Sequence, residues 1–216
     1  MSELREFDLL KYLKDDGIYL ENVSLENCSM ASSGTYYLYF KKCVFQNVIF
    51  DGEHEEWGDA SFFECEFRDC MFCGDFGETY LDWRENFFKN CLFENINIED
   101  GGSRSSIVDN GFLNCNFMNV NLNQDIHLLQ LTISGGEMQN MSLFSTNMIS
   151  NVISNVQMNH VKISALYGDN IMDSITFRDV FLEWESPYDP HPDNNIFYQC
   201  DTRGLICRKH LGVEYE

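Results

Sequence analysis

A period of five residues constrains this chain more than any other feature of its sequence. Divided into fives, residues 131 to 165 read LTISG, GEMQN, MSLFS, TNMIS, NVISN, VQMNH and VKISA. The third residue of every unit is apolar, from Ile133 to Ile163, and the first is small or apolar in most units. This period fits neither the 3.6-residue helix nor the two-residue alternation of a strand. It fits a coil in which the first and third residues of a short extended unit point inward, while the other three are polar and turn a corner.

These units resemble those of the pentapeptide-repeat family, in which a small residue is followed by a polar one, by Leu or Phe, and by two more polar residues. A longer motif, an apolar residue, two others and then small-x-apolar-x-x-small-x-apolar, repeats along most of the chain. Its copies occupy 40–50, 62–72, 88–98, 112–122, 133–143, 153–163 and 172–182, with weaker copies at 15–25 and 197–207. The resemblance implies that four units make one turn of a right-handed parallel β-helix. We therefore expect an all-β solenoid of about nine coils.

We expect a single domain, residues 1–216, with coils over 15–207 and a tail over 208–216. Leu4, Phe7, Leu10 and Leu13 form an amphipathic pattern, which predicts a short helix over 1–14 that caps the open end of the solenoid. A partner-binding arm is the alternative for this segment. Loops are expected where the repeat is interrupted, at 31–39, 51–61, 73–86, 99–110 and 183–195. The C-terminal residues are open to two interpretations, a cap or a dimerisation edge.

Composition and cysteine usage indicate a soluble, unsecreted protein. With 216 residues, 44% of them hydrophobic, the chain is long enough to bury a core. No charge-free run approaches 18 residues, and the N-terminus is too charged for a signal peptide. Cys43, Cys65, Cys91 and Cys115 occupy the small inward position, so we expect them to stack as one ladder of reduced thiols. We therefore predict a cytoplasmic protein.

The formal charge of −21, from 35 acidic and 14 basic residues, restricts the partners that the chain can bind. Such a chain repels nucleic acids and anionic membranes, and it attracts basic proteins at rates that fall with salt. We therefore expect a basic protein partner, with no direct binding of nucleic acid or membrane. Acidic residues can also serve solubility alone, and that interpretation remains open here.

The candidate partner-binding residues lie in the expected loops, where acidic residues are mixed with aromatic ones. If the coils stack in register, loops at the same phase of the repeat emerge along one edge and form an acidic and aromatic ridge. The alternative is that Trp57 and Trp83 fold back over apolar surface beside the coils. The ridge comprises Asp51, Glu53, Glu55, Glu56, Trp57, Asp59, Asp75, Glu78, Tyr80, Asp82, Trp83, Glu99 and Asp100.

The sequence offers little evidence for catalysis. Cys70 and Cys73 form a single CxxC without a second pair or a nearby His, which favours core cysteines over zinc or redox chemistry. The five His residues are scattered, and no phosphate-binding loop occurs. We predict no catalytic residue, cofactor or metal. Because parallel β-helix enzymes that act on polysaccharides use carboxylates along a groove, such an enzyme is kept as a remote alternative.

The leading functional hypothesis is a non-enzymatic immunity protein that blocks a nuclease toxin. Regularly spaced carboxylates would replace phosphates in the basic cleft of the toxin. An alternative with the same physics is a DNA mimic that binds DNA gyrase, as the resemblance to quinolone-resistance members of the family implies. A third hypothesis is a scaffold that positions a partner without charge selection. The sequence leaves the oligomeric state open.

Overall fold

The computed structural model describes residues 2–5, 13–14, 17–31, 37–51, 60–78, 81–99, 105–123, 126–144, 147–164, 169–185 and 195–210. These residues form 25 β-strands in two sheets. The smaller sheet contains β2 (Leu13–Lys14), β3 (Gly17–Glu21), β5 (Tyr37–Lys41), β7 (Ala60–Phe63), β10 (Leu81–Arg84), β13 (Ser106–Val108), β16 (His127–Leu129) and β18 (Asn147–Ile149).

The larger sheet contains the other 17 strands. Those before residue 100 are β1 (Ser2–Arg5), β4 (Ser24–Ala31), β6 (Val44–Asp51), β8 (Glu66–Arg68), β9 (Met71–Glu78), β11 (Phe87–Lys89) and β12 (Leu92–Glu99). The middle of the chain contributes β14 (Gly111–Met118), β15 (Asn121–Asn123), β17 (Thr132–Phe144), β19 (Val152–Ser154) and β20 (Gln157–Ser164). The last strands are β21 (Ile171–Asp173), β22 (Thr176–Arg178), β23 (Val180–Glu185), β24 (Ile196–Tyr198) and β25 (Leu205–His210).

The chain winds as a coil whose successive turns pair in parallel. One turn places Ile107 in the smaller sheet, then Phe112, Phe117 and Leu122 in the larger sheet, at intervals of five residues. We call these positions sides 1, 2, 3 and 4. The next turn begins at Leu128, and Phe112 pairs in register with Ile133. Each buried side chain therefore lies directly above its counterpart in the next turn.

This register confirms the resemblance stated above at the level of the fold: the chain is a parallel β-solenoid built from five-residue units. Seven turns have described strands in the smaller sheet, from β3 to β18, against the nine coils expected. The larger sheet continues through two further rows, β21–β23 and β24–β25. The side 1 segments of those rows fall outside the described residues.

The corners between sides explain the polar fifth residue of each unit. In the described residues, 21 non-glycine residues have a positive φ, and 13 of them are Asn or Asp. Asn90, Asn114 and Asn155 are examples, and each follows its inward residue by two positions. Asn and Asp tolerate this left-handed conformation because their short side chains bond locally, whereas β-branched residues are strained there.

Aromatic columns fill the interior of the first half of the solenoid. On side 2, Phe45, Phe67, Phe88 and Phe112 stack with ring centroids 4.5 to 4.8 Å apart and planes within 7°. A second column, formed by Phe50, Phe72, Phe93 and Phe117, follows side 3 at 4.4 to 4.8 Å. These spacings match the separation of adjacent strands, about 4.8 Å, so each ring stacks without leaving its rung.

Buried asparagines connect successive turns on side 2. The backbone N–H of Asn86 donates to Oδ1 of Asn110 at 2.9 Å, and the Asn86 amide donates to the Phe62 carbonyl. Asn151 and Asn170 repeat this arrangement lower in the coil. Each of these buried amides is hydrogen-bonded, so they link the turns without leaving a polar group unsatisfied.

Several expected boundaries are wrong. Residues 2–5 and 13–14, within the expected N-terminal helix, are strands, because β1 pairs with β4 and β2 pairs with β3. The expected loop 73–86 is largely strand, with β9 ending at Glu78 and β10 beginning at Leu81. Strands β5, β7, β13 and β23 also extend into expected loops, and β25 extends into the expected tail. No helix capable of spanning a membrane occurs in the part of the chain that the structure describes.

The corner geometry predicts opposite effects of two substitutions at exposed Asn155. Replacement by Val should lower the free energy of unfolding by about 1–2 kcal/mol, because a β-branched residue is strained at a φ of 53°. Replacement by Gly should change it by less than about 1 kcal/mol, because Gly adopts this conformation freely. Urea denaturation of both variants measures the difference. Equal losses in the two variants would show that the left-handed corner does not govern this position.

Candidate functional site

The structure brings surface aromatic residues together on side 1, in the smaller sheet. Tyr19, Tyr39 and Phe63 are half-buried on its outer surface, and we call them the aromatic strip. The ring centroids of Tyr19 and Tyr39 are 5.5 Å apart, and those of Tyr39 and Phe63 are 5.1 Å apart. Tyr37 lies beside the strip, where its hydroxyl is hydrogen-bonded to the Ser61 hydroxyl. A strip of partly exposed rings is typical of protein interfaces, in which aromatic residues act as anchors.

An acidic column borders the aromatic strip at the corner between sides 1 and 2. Glu64, Glu85 and Asp109 occupy the same corner in three successive turns, and all three are exposed. The Glu64 N–H donates to the carbonyl of Arg84, and the Glu85 N–H donates to the carbonyl of Val108, at 3.0 and 3.1 Å. The three side chains therefore rise from adjacent rungs about 4.8 Å apart.

Among the described residues, the charges in the acidic column are only partly compensated by ion pairs. Lys42 lies one turn above Glu64, with Nζ 3.5 Å from its Oε2, and both side chains are about half exposed. Among the described residues, Glu85 and Asp109 have no ion pair within 4 Å. Two like charges 5 Å apart in water repel by about 0.8 kcal/mol. The column is therefore a surface on which an external cation relieves repulsion.

An ion pair between largely buried Asp82 and half-exposed Arg84 lies on side 1. Asp82 is almost fully buried, and its Oδ1 accepts from Nε of Arg84 at 2.6 Å and from Oγ of Ser106 at 3.2 Å. Since Asp82 is held by the Ser106 hydroxyl and by the surrounding strands, its bond to Nε fixes the orientation of Arg84 on the sheet surface. The sequence analysis placed Asp82 on an exposed ridge, and its burial corrects that placement.

Trp83 is a core residue, so its expected role as an exposed anchor is wrong. Its side chain is 6% exposed and packs with the rings of Phe62, Phe72 and Phe88. It occupies the inward position of β10, directly below Phe62. Within the described part of the chain its Nε1 is buried without a hydrogen-bond partner. The alternative, in which this ring folds back over apolar surface beside the coil, also differs from the structure, because Trp83 lies inside the coil; Trp57 lies outside the described residues.

The remaining ridge residues divide into two groups. Asp51, Asp75, Glu78 and Glu99 lie in described strands, and Glu78 and Glu99 are register partners in adjacent turns. The other members, Glu53, Glu55, Glu56, Trp57, Asp59, Tyr80 and Asp100, lie outside the described residues, so their contact role stays a prediction.

The ends of the strands show where the segments that carry these ridge residues join the coil. β9 and β12 end side by side, and the next strands begin in register, with Leu81 opposite Ala60 and Asp82 opposite Ser106. These segments therefore enter side 1 from one edge, and the acidic column follows its other edge. The smaller sheet is flanked by acidic sequence on both sides.

Most of the negative charge lies outside the described surface. Described side chains account for 15 of the 35 acidic residues and eight of the 14 basic residues, which is a net charge of −7 out of −21. The other 20 acidic and six basic side chains belong to the termini, to the ends of strands such as β9 and β12, and to the segments between turns, and they lie outside the described surface.

The buried cysteines pack inside the coil. They form two columns, Cys43 and Cys65 on side 2 and Cys70, Cys91 and Cys115 on side 3, which corrects the single ladder that was expected. A hydrogen bond with Cys91 and burial both raise the pKa of Cys70, and a hydrogen bond with Cys43 and burial raise that of Cys65. In the described ranges, no group of three or more His, Cys, Asp or Glu residues is arranged to hold a metal ion.

The sequence analysis missed the aromatic strip and the acidic column. The signal that locates the column is the period of five itself: Trp83, Phe88, Phe93 and Ile98 are five residues apart, which places Glu85 at a corner. Around Trp83 the sequence GETYLDWREN mixes polar and aromatic residues without an obvious period, so this spacing was not recognised. The strip had no comparable signal, because Tyr19 and Phe63 adjoin each other only through Tyr39 of the intervening turn.

Comparison with known proteins gives weak similarities to solenoids. No family model and no curated protein matches the sequence. A trypsin-treated variant of QnrB1, a plasmid-mediated fluoroquinolone resistance protein, aligns with a TM-score of 0.41 and 15% identity, over 96% of this chain and 91% of that chain. HetL, a pentapeptide repeat protein involved in heterocyst differentiation regulation from the cyanobacterium Nostoc sp. strain PCC 7120, aligns with a TM-score of 0.36 and 11% identity, over 94% and 86%. The parallel register of the strands in this chain establishes its solenoid fold without these similarities.

The placement of Trp83 predicts a large loss of stability on truncation. Trp83→Ala should lower the free energy of unfolding by about 3–5 kcal/mol, because it removes a buried ring from the aromatic core. The matched control is Phe87→Ala, four residues away, whose ring is 40% exposed and should matter by about 1 kcal/mol or less. Chemical denaturation measures both variants. If both variants lost similarly little stability, the placement of Trp83 in the core would be wrong.

Proposed function

We propose that this protein is a non-enzymatic, acidic binding protein whose side 1 docks onto a basic, nucleic-acid-binding surface of another protein. The observation that carries the proposal is the acidic column of Glu64, Glu85 and Asp109 beside the aromatic strip. The column supplies charge at a fixed spacing, and the strip supplies apolar anchors next to it. The strip lies on β-strands, and each residue of the column directly follows a strand and donates its backbone N–H to the next turn, so neither feature needs to be ordered when a partner binds.

Carboxylates on successive rungs can replace phosphates in a basic cleft. Lys and Arg side chains form charge-assisted hydrogen bonds with carboxylates and phosphates alike, and Arg binds both in a bidentate manner. A partner that inserts such side chains between Glu64, Glu85 and Asp109 also removes their mutual repulsion. The net charge of −21 would raise the association rate at low salt, and this steering would fall as salt is added.

The partner class is a protein with a cleft that handles nucleic acid. A nuclease toxin, for which this chain would be the immunity protein, and DNA gyrase, for which it would be a DNA mimic, are the two members of that class that we consider. Either partner would bind the acidic column through the basic side chains that line its nucleic-acid-binding cleft. The setting we propose is the cytoplasm, where buried free thiols such as Cys70 and Cys91 remain reduced.

Neutralising the acidic column should weaken binding of the basic partner. In the triple variant Glu64→Gln, Glu85→Gln and Asp109→Asn, three exposed charges worth about 0.2–1 kcal/mol each are lost, which corresponds to roughly 3- to 150-fold in Kd. The salt dependence of Kd should also become shallower. A matched control, Glu26→Gln, Glu94→Gln and Asp179→Asn, removes the same net charge from other sides and should change Kd much less.

The partner is obtained by capture from a lysate of the native host at low salt, followed by mass spectrometry and titration of the purified protein. Displacement of fluorescent DNA from host DNA gyrase, compared with protection of DNA from the captured nuclease, separates the two members of the class. If the column variant and the control variant weakened binding equally, side 1 would not be the surface that binds the partner. A partner without a basic surface would remove the proposal itself.

The scaffold hypothesis makes a different prediction for the aromatic strip. If apolar contact without charge selection positions the partner, Tyr39→Ala combined with Phe63→Ala should abolish capture, and the acidic column variant should bind normally. Under the proposed function both variants weaken binding, and only the column variant reduces its salt dependence. The two sets of titrations therefore distinguish the classes of interface.

A further inference from the structure

We propose that the interior of the solenoid contains a binding site for a small apolar molecule. The middle turns surround a void of about 80 Å³, and every described residue that lines it is apolar. All four sides contribute to it, among them Leu128 from side 1, Ile133 from side 2, Met138 from side 3 and Leu143 from side 4. This site is separate from the acidic outer surface and does not depend on the proposed function.

Residual accessibility inside the core supports the void independently. Phe40, Phe45 and Phe50, in the aromatic half, have no accessible surface at all. Leu122 and Leu128, in the middle turns, each keep 6 to 7%, although their side chains point inward. Close-packed interiors have few voids larger than a water molecule, so this contrast between two parts of one core is a local feature.

The void arises from the change of side chains along each column. Both phenylalanine columns end at the same turn, where Phe112 is followed by Ile133 and Phe117 by Met138. Side 1 changes in parallel, because Trp83 is followed by Ile107, which is smaller. The turns keep their four sides while the side chains that fill them become shorter. Space along the axis is left without atoms to fill it.

The chemistry of the wall selects the ligand. A buried water needs about two to four hydrogen-bond partners, and this wall offers none, so water gains nothing by entering. An apolar molecule of a few heavy atoms gains the dispersion contacts that the lining side chains lack. A dry engineered cavity of about 150 Å³ with this kind of lining takes up xenon and benzene, and the smaller void here would have to widen slightly to hold benzene. No lining side chain is more than 9% exposed, so entry requires local opening of the coil.

The test uses the full-length protein with xenon and benzene as probes. In methyl-labelled protein, both probes should shift the methyl signals of Leu128, Ile133 and Met138, and should leave Leu20 in the first turn unchanged. Benzene at roughly ten times its Kd should raise Tm by about 3–6 °C. Absence of these shifts in the folded wild-type protein, or equal shifts at Leu20, would overturn the proposal.

Variants that fill the void provide the matched comparison. Ile133→Phe continues the ring column below Phe112, so it should occupy the space and abolish both the methyl shifts and the rise in Tm. Met172→Phe makes a similar exchange on the same side, outside the void, and should leave probe binding intact. Leu128→Phe fills the void from side 1 and replaces the first variant if that variant does not fold. Undiminished benzene binding in a folded void-filling variant would also overturn the proposal.

Discussion

The parallel, in-register hydrogen bonding between successive turns is the constraint on which the rest of this structure depends. The N–H groups of Phe87, Gly111 and Thr132 each donate, at 2.9 Å, to a carbonyl in the preceding turn. With this register fixed, the side chain at a given position has only one kind of neighbour along the axis, its own counterpart one turn away. Columns of phenyl rings, thiols, amides and carboxylates are all products of this arrangement.

Like-with-like stacking has opposite energetic consequences inside and outside the coil. Phenyl rings such as Phe67 and Phe88 stack favourably at the rung spacing, and buried amides such as Asn86 and Asn110 bond to one another. Carboxylates repel at the same spacing, so the acidic column is tolerated only because water screens it. The backbone geometry that stabilises the core therefore also produces a column of carboxylates in which, among the described residues, only Glu64 has an ion-pair partner. This contrast links the fold to the proposed binding of a basic partner.

The sequence predicted the type of fold and much less of the functional surface. The period of five was sufficient for a parallel solenoid, because Phe88, Phe93 and Ile98 repeat the inward position without ambiguity. Because residues 73–86 were expected to form a loop, Trp83 was not recognised as an inward residue. The copies of the long motif at 40–50 and 62–72 begin on side 1, whereas those from 88–98 onward begin on side 2. Two outward residues are neighbours only if they lie on the same side in successive turns. The shift in the assigned sides therefore concealed that Glu64 and Glu85 are neighbours. The period of five therefore predicts which residues are buried, but it does not by itself predict which exposed residues are neighbours.

The corners between sides have a consequence for how such a chain changes length during evolution. A residue added within a unit would move every later inward side chain out of its column, whereas removal of a whole turn leaves the turns above and below complementary. At the edge where the chain enters side 1, the number of residues between strands already differs from turn to turn, with two between β9 and β10 and six between β12 and β13. Chains of this design should therefore vary by entire turns in the coil and by single residues only along that one edge.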